Sequence, residues 1–243
     1  MFIKIDSALK MRIFFVRVFD WLCRLPKWRQ LDKVLTRAAK GSNDFFFVQI
    51  GANDGVIYDP IYQYVNRYHW AGLLVEPVRC YFERLKANYR NNPQLVFENV
   101  ALSNKQETRN FYRIREGLDF LPAWCHGLGT FHLDVLLTHK WAIPNIEDYV
   151  ITEQVDCLTL ASLLHRHSVK KIDLLVIDTE GHDYHIIKQI DFEALKPKIL
   201  LFEHQYLSAQ QKAECEHLLQ EQHYAVSRHM GNTLAYLGND LGL

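Results

Sequence analysis

The sequence has no long apolar run, no net charge and no paired cysteine spacing, and each absence removes a class of protein. The longest candidate for a membrane span, Ile13 to Leu22, is broken by Arg17 and Asp20, whereas a spanning helix needs roughly twenty apolar residues. No small-residue cleavage site follows it, so no signal peptide is expected. The five cysteines (Cys23, Cys80, Cys125, Cys157, Cys215) are odd in number, scattered and free of CxxC spacing. That argues against a disulfide framework and a structural zinc, and for a reducing cytosol. Lysine and arginine number 28, matched by 28 aspartates and glutamates, so no nucleic-acid partner is expected. No internal repeat or low-complexity tract is present.

The chain, 243 residues long, has room for one α/β domain with a full core plus an extension. The charge pattern places the extension at residues 1–40, which hold ten basic side chains against Asp6, Asp20 and Asp32. Within it Leu9, Ile13, Val16, Phe19 and Cys23 recur at helical spacing until Pro26 interrupts. This basic amphipathic helix, with Trp21 in it and Trp28 just beyond, is expected to pack on the main domain or on a second subunit. A peripheral contact with an anionic membrane through residues 1–28 is the alternative.

From Phe45 onward, short apolar runs alternate with helix-period segments, which predicts a mostly parallel sheet with helices on both faces over residues 41–243. Strands are expected at Phe45–Ile50, Gly72–Val75, Leu95–Asn99, Asp173–Ile177 and Ile199–Glu203, with helices between them. Tyr224–Arg228 and Thr233–Leu237 read as closing strands, joined through the Gly-Asn pair of HMGN. Residues 105–156 fit this rhythm poorly. An irregular insertion of that length reads as a lid or binding loop with substrate recognition in it, and its Phe120, Trp124, Phe131 and Trp141 suit a sugar face, a lipid or a plain core equally.

Three constellations carry chemistry. The first is FFFVQIGANDG, an apolar strand running into Gly51, Asn53 and Gly55, followed by AGLLVEP, which ends at Glu76. Glycines let backbone approach a ligand, and a carboxylate accepts two hydrogen bonds from a ribose diol. The pattern G-x-N-x-G departs from the dinucleotide fingerprint G-x-G-x-x-G. Asn53 tolerates positive φ and adds an amide, which suits a nucleoside cofactor with an amino-acid tail better than one with two phosphates. The second is LLVIDTEGHDYHIIKQI, where a strand ends at Asp178 and a turn presents Glu180, His182 and Asp183, at the carboxyl end of a strand where open α/β sheets bind ligands. The third is Glu203–His204, expected to face the same crevice.

VQIGANDG, LLVEP, ENVALSN and the DTEGHD turn, in this order and spacing, resemble the FkbM family of S-adenosylmethionine-dependent methyltransferases over about residues 45–205. The resemblance implies a class I Rossmann-like fold with a seven-stranded sheet. It also implies O-methylation of a sugar, glycolipid or secondary metabolite, a small-molecule or glycan acceptor. By the same resemblance Gly51, Asn53 and Gly55 surround the methionine part of the cofactor, Glu76 holds its ribose, and the stretch from Asn99 to Ala101 borders the adenine. Where family members often carry lysine before the acidic turn, this chain has Val176, and no role is carried over there.

An alcohol is a poor nucleophile while protonated, so Asp178 or His182, then His204, are the candidate bases. A divalent metal held by Asp178 and Glu203 is the other way to activate the hydroxyl. Two rivals stay open: an NAD-dependent oxidoreductase, and an inactive cofactor-binding scaffold recruited through the basic N-terminal helix.

Overall fold

The computed structural model describes residues 29–42 and 44–238. The amphipathic helix expected within the first 28 residues lies outside the described residues. Along the chain, helix α1 (Arg29–Gly41) precedes strand β1 (Phe46–Ile50), α2 (Tyr62–Tyr68), β2 (Ala71–Val75), α3 (Arg79–Asn88) and β3 (Leu95–Glu98). Next come β4 (Ala101–Leu102), β5 (Glu107–Ile114), β6 (Gly129–Thr130), α4 (Leu133–Leu137) and β7 (Val150–Leu158). The last third holds α5 (Leu160–Arg166), β8 (Leu174–Ile177), α6 (Asp183–Ile187), β9 (Ile199–Glu203), α7 (Ala209–Glu221), β10 (Ala225–His229) and β11 (Asn232–Tyr236).

Seven strands form one sheet in the order β10-β11-β9-β8-β1-β2-β3. The run from β9 to β3 is parallel, and only β11 is reversed against both of its neighbours. This is the mixed seven-stranded sheet of a class I methyltransferase Rossmann-like fold. One local expectation is corrected: the turn between the closing strands is Met230–Gly231, with Met230 at φ 46°, and Asn232 already pairs with His229.

Each central strand is apolar on both sides, and alternation sends its residues to two separate cores. Phe47, Leu74, Val176 and Leu201 pack on one face, against α1, α2 and α3. Val48, Leu73, Leu175 and Phe202 pack on the other, against α5, α6 and α7. In α1 the buried Leu31, Val34, Leu35 and Ala38 fall three and four residues apart, which makes a single stripe. Leu35 is fully buried, so shortening it to alanine costs about 2–5 kcal/mol. A capping box starts α7, with the Ser208 hydroxyl accepting from the Gln211 amide at 3.2 Å and the Gln211 side chain accepting from the Ser208 amide at 2.9 Å. No helix among the described residues is long and apolar enough to cross a membrane.

The poorly periodic region builds a second sheet, in the order β4-β7-β5-β6. Its spine is the antiparallel pair β5 and β7, running from Glu107 opposite Cys157 to Ile114 opposite Val150. Between these strands the chain folds on a small core of its own that includes Ile114, Leu118, Leu128, Leu136 and Ile143. The expected irregular insertion is therefore a supported wall. It stands beside the carboxyl ends of the parallel strands, because Trp124, Leu128, Phe131 and His139 from it line the same cavity as Gly51 and Asp178 from the main sheet.

Candidate active site

Strand parity explains where the polar groups gather. Phe47, Leu74, Val176 and Leu201 share one core, and two residues further along each strand stand Gln49, Glu76, Asp178 and Glu203. All four line one cavity of about 470 Å³, a size usual for small-molecule sites.

The loop after β1 is held tightly. Gly51 and Ala52 both donate to the Val75 carbonyl at 3.0 Å. Gly51 has φ +79°, and a Cβ there would lie 1.8 Å from the Asp178 carbonyl oxygen. Only glycine fits that approach. Asn53, at φ 49°, donates its amide to Glu76 Oε2 at 2.8 Å, and Val78 donates to Glu76 Oε1 at 2.8 Å. Burial pushes the Glu76 carboxyl up to about 7, against the opposing pull of those two hydrogen bonds. Ala101, with Val100 and Leu102, forms an apolar stretch of the wall.

Two of the expected cofactor residues sit behind this wall. Gly55 turns toward α3, where an added Cβ would meet Leu85 and Tyr89 at 2.5 Å. Asn99 donates to the Glu76 and Pro77 carbonyls at 2.8 and 2.9 Å, which clamps the loop carrying Glu76. Neither lines the cavity.

Beside the glycine loop, Asp178, Glu180 and Glu203 bring carboxylate oxygens within 4.8 Å of one another. Asp178 and Glu203 meet because β8 and β9 are parallel neighbours with Ile177 opposite Phe202. Glu180 joins them through a turn: its φ is 50° and that of Gly181 is 99°. Two ties hold this turn. Thr130, on β6, donates its hydroxyl to the Glu180 carbonyl at 2.7 Å. Asp183, fully buried, accepts from the Thr179 hydroxyl at 2.8 Å and from the Glu203 amide at 3.2 Å.

Asp178 is open to the cavity yet walled by protein, and burial raises its carboxyl well above the usual range, with the charges of Glu180, Asp183, Asp59 and Glu76 adding to the shift. Glu203 is raised for the same reasons, burial first and then Glu180, Asp178 and Asp183. Closely placed carboxylates disfavour one another's ionisation. Such a group can exchange a proton with a ligand or hold a divalent cation. As a cation site it adds Glu180 to the expected Asp178 and Glu203.

The two expected histidines part company. His182 is 4% exposed and lines the cavity, with Nδ1 at 3.4 Å from His132 Nε2. Burial, then His185, His132 and Arg109, push it down to about 3, so its ring is neutral. His204 is a correction: it follows Glu203 directly and points to the opposite face, where Nδ1 meets the Thr233 hydroxyl at 2.8 Å.

Sequence reasoning left Gln49, Asp59, Thr130, His139 and Tyr206 out of the site. The last two border the acidic group: His139 Nε2 meets the Tyr206 hydroxyl at 2.9 Å and lies 3.9 Å from Glu180 Oε2. Trp124 packs on His139 at 5.5 Å and stacks with Trp141 at 6.0 Å. Trp124, Phe131 and Trp141 thus border the cavity, whereas Phe120 packs edge-on against Tyr149 in the small core. The missed polar residues stand singly in unremarkable sequence, and only strand parity offered a signal, for Gln49.

A family model for the methyltransferase FkbM domain matches residues 49–233. No curated protein matches the sequence. Among solved structures, the methyltransferase FkbM from Methylobacillus flagellatus KT is 12% identical at a TM-score of 0.49, over 80% of this chain and 43% of that one. This chain therefore spans less than half of that protein's length. The N-terminal domain of human METTL16 is 13% identical at a TM-score of 0.45, over 88% of this chain and 69% of that one. A precorrin-6y C5,15-methyltransferase from Geobacter metallireducens GS-15 is 12% identical at 0.39, over 88% and 91%.

Proposed function

The chain belongs to the FkbM methyltransferase domain family, and from that premise we propose that it is an S-adenosylmethionine-dependent O-methyltransferase. Its acceptor is a hydroxyl on a small molecule of the sugar, glycolipid or secondary-metabolite kind. One observation carries the reading: a single cavity is lined by the glycine loop, Glu76 and the carboxylates of Asp178 and Glu203.

The residues present fit the cofactor. Gly51, whose missing side chain lets the loop close on the Asp178 carbonyl, lines the cavity, and Gln49, 3% exposed and also in the lining, has an Oε1 without a protein hydrogen-bond partner. Gly51 and Asn53 would hold the methionine part, Glu76 the ribose, and Val100 with Ala101 the adenine. Gly55 and Asn99 support this frame from behind. When bound, the cofactor supplies an electrophilic methyl group on a sulfonium centre.

The rest is the protein's work. Positioning the acceptor oxygen against that methyl group accounts for much of the acceleration expected of such a site. As the oxygen gains the methyl group it must lose its proton, and Asp178 takes it. Its raised proton affinity makes it a better base than an ordinary aspartate. His182, neutral but weakly basic, faces the cavity as an orienting group.

The test is direct. S-adenosylhomocysteine should bind the protein and NAD should not, and label from S-adenosylmethionine should pass to hydroxylated small molecules. Binding of NAD alone would replace this reading with an oxidoreductase, and cofactor binding without turnover on any acceptor would leave a scaffold.

A second reading is favoured by the grouping of Asp178, Glu180 and Glu203 within 4.8 Å. A divalent cation there would lower the pKa of the acceptor hydroxyl directly. Activity abolished by EDTA and restored by magnesium supports it; activity indifferent to EDTA disposes of it.

A further inference from the structure

We propose that the acceptor is a cationic small molecule, a hydroxylated amine, whose ammonium group sits between Glu180 and Glu203 and the aromatic wall of Trp124, His139 and Tyr206. This rests on the methyltransferase reading in which Asp178 acts as base and no metal occupies the carboxylate group.

The charge around the cavity comes first. Asp59, Glu76, Asp178, Glu180 and Glu203 line it, and among the described residues no lysine or arginine does. Elsewhere in the fold, several carboxylates shielded from solvent have cations beside them. Asp173, 1% exposed, has Lys198 at 2.9 Å and Lys171 at 3.1 Å; Glu153 has Arg113 at 3.0 Å; Glu98 has Arg166 at 2.5 Å. The buried Asp183 is instead held by neutral donors, the Thr179 hydroxyl and the Glu203 amide; in the cavity Glu180 and Glu203 each keep a buried oxygen with no hydrogen-bond partner, and a cationic occupant would satisfy them.

The hydrogen-bond inventory points the same way. Among the residues that line the cavity, His139 Nδ1 and His182 Nε2 are buried without a hydrogen-bond partner, and so are three oxygens, Gln49 Oε1, Glu180 Oε2 and Glu203 Oε2. All three are acceptors, and Gln49 is itself 3% exposed. Buried acceptors in native proteins are nearly always satisfied, so the ligands are rich in donors. The cofactor's own ammonium and diol serve Gln49 and Glu76 beside the glycine loop. Glu180 and Glu203 remain for the acceptor.

The wall beside them is aromatic. Tyr206 lines the cavity with Glu180 and Glu203, and its hydroxyl meets His139 Nε2 at 2.9 Å. His139 links it to Glu180, and Trp124 continues the wall toward Trp141, which is 55% exposed. Carboxylates backed by aromatic faces are the usual receptor for an organic ammonium ion. A phosphorylated or carboxylated acceptor would meet repulsion at the same place.

The test uses three hydroxylated two-carbon probes of charge plus one, zero and minus one: ethanolamine, ethylene glycol and glycolate. Each is titrated by ligand-observed NMR into the full-length protein saturated with S-adenosylhomocysteine. Ethanolamine should bind about tenfold more tightly than ethylene glycol, and glycolate not measurably. Glu180→Gln should remove that preference while S-adenosylhomocysteine still binds. Equal binding of the three probes, or an unchanged preference in the variant, overturns the proposal. So does saturable manganese binding by electron paramagnetic resonance that Glu180→Gln abolishes, because the carboxylates then hold an ion. Failure of the wild type to bind S-adenosylhomocysteine defeats the methyltransferase reading instead.

Discussion

The Glu76 carboxylate accepts the Asn53 amide at 2.8 Å, so the loop after the first strand and the end of the second are joined through the group proposed to hold a ribose. Cofactor binding should therefore depend on pH with a definite sign. Glu76 is pushed up to about 7 in the free protein, and a diol needs its ionised form as acceptor. Affinity for S-adenosylhomocysteine should rise with pH through about 7 and level off above, as calorimetry from pH 5.5 to 8.5 will read. Glu76→Gln should flatten that dependence and weaken binding by roughly tenfold or more, the loss of a charged hydrogen bond.

Asp178→Asn should separate binding from chemistry. It keeps the size of the side chain and the backbone carbonyl that faces Gly51, but it removes the base. Turnover should fall by about 10²–10⁴-fold while S-adenosylhomocysteine affinity changes little. Retained turnover in a variant that binds the cofactor removes Asp178 from the proton-taking role.

His204 supplies the matching control. It meets Thr233 on the far face of the sheet, so His204→Ala should leave turnover within about twofold, since groups outside the site seldom alter transition-state binding. A large loss in kcat with normal stability would restore it as a candidate base.

Gly51→Ala should act through the backbone. The new Cβ falls 1.8 Å from the Asp178 carbonyl oxygen at a φ of +79°, and strain of that kind costs about 1–3 kcal/mol before the clash is counted. Urea denaturation should show at least that loss, with cofactor binding abolished in whatever remains folded.

Stability should also fall with rising pH over the range where most proteins gain it. Asp59 is pushed up to about 6, and Glu76 and Asp183 to about 7, chiefly by burial. Below pH 4 these groups are protonated in both folded and unfolded chains. Between about pH 4 and 7 the unfolded chain ionises first, so folding loses ground. Above 7 both are ionised and the loss is complete. The urea midpoint should be higher at pH 5 than at pH 8, by a free energy on the order of 2 kcal/mol or more. Asp183→Asn, which can still meet Thr179 and Glu203, should reduce the slope.

The sheet was readable in the sequence because strands buried on both faces appear as unbroken apolar runs, and FFFVQI, GLLV, LLVI and ILLFE have few other readings. The end of each run also located Glu76, Asp178 and Glu203. What went wrong has a geometric origin. Glu203 and His204 are neighbours in sequence but face opposite sides, and apolar runs with two buried faces conceal which side is which. Gly55 and Asn99 belong to the same short motifs as the cavity residues, so motif membership alone could not show that they stand behind the wall. Glu180 joins the carboxylates only because it takes a left-handed conformation, which strand periodicity does not encode. The second sheet was half hidden as well. Glu107 to Asn110 are partly exposed, and the small core between β5 and β7 joins Leu118 and Ile143 from irregular backbone to Leu136 of the five-residue α4, too short a helix to show a period.

The hydrogen bond from Thr130 to the Glu180 carbonyl bears on how such a protein diversifies. The proposed cofactor site is built on the seven-stranded sheet and on β4, and much of the facing wall belongs to the segment between β5 and β7, which has its own core. Residues 115–149 also touch the glycine loop, since a Cβ on Gly127 would fall 2.2 Å from Asn53 Nδ2, so a transplanted segment has to keep glycine there. Thr130 sets a second condition for that exchange. A graft that lacks a hydroxyl at this position would leave the Glu180 turn unanchored, and the new acceptor would meet a carboxylate no longer held in place.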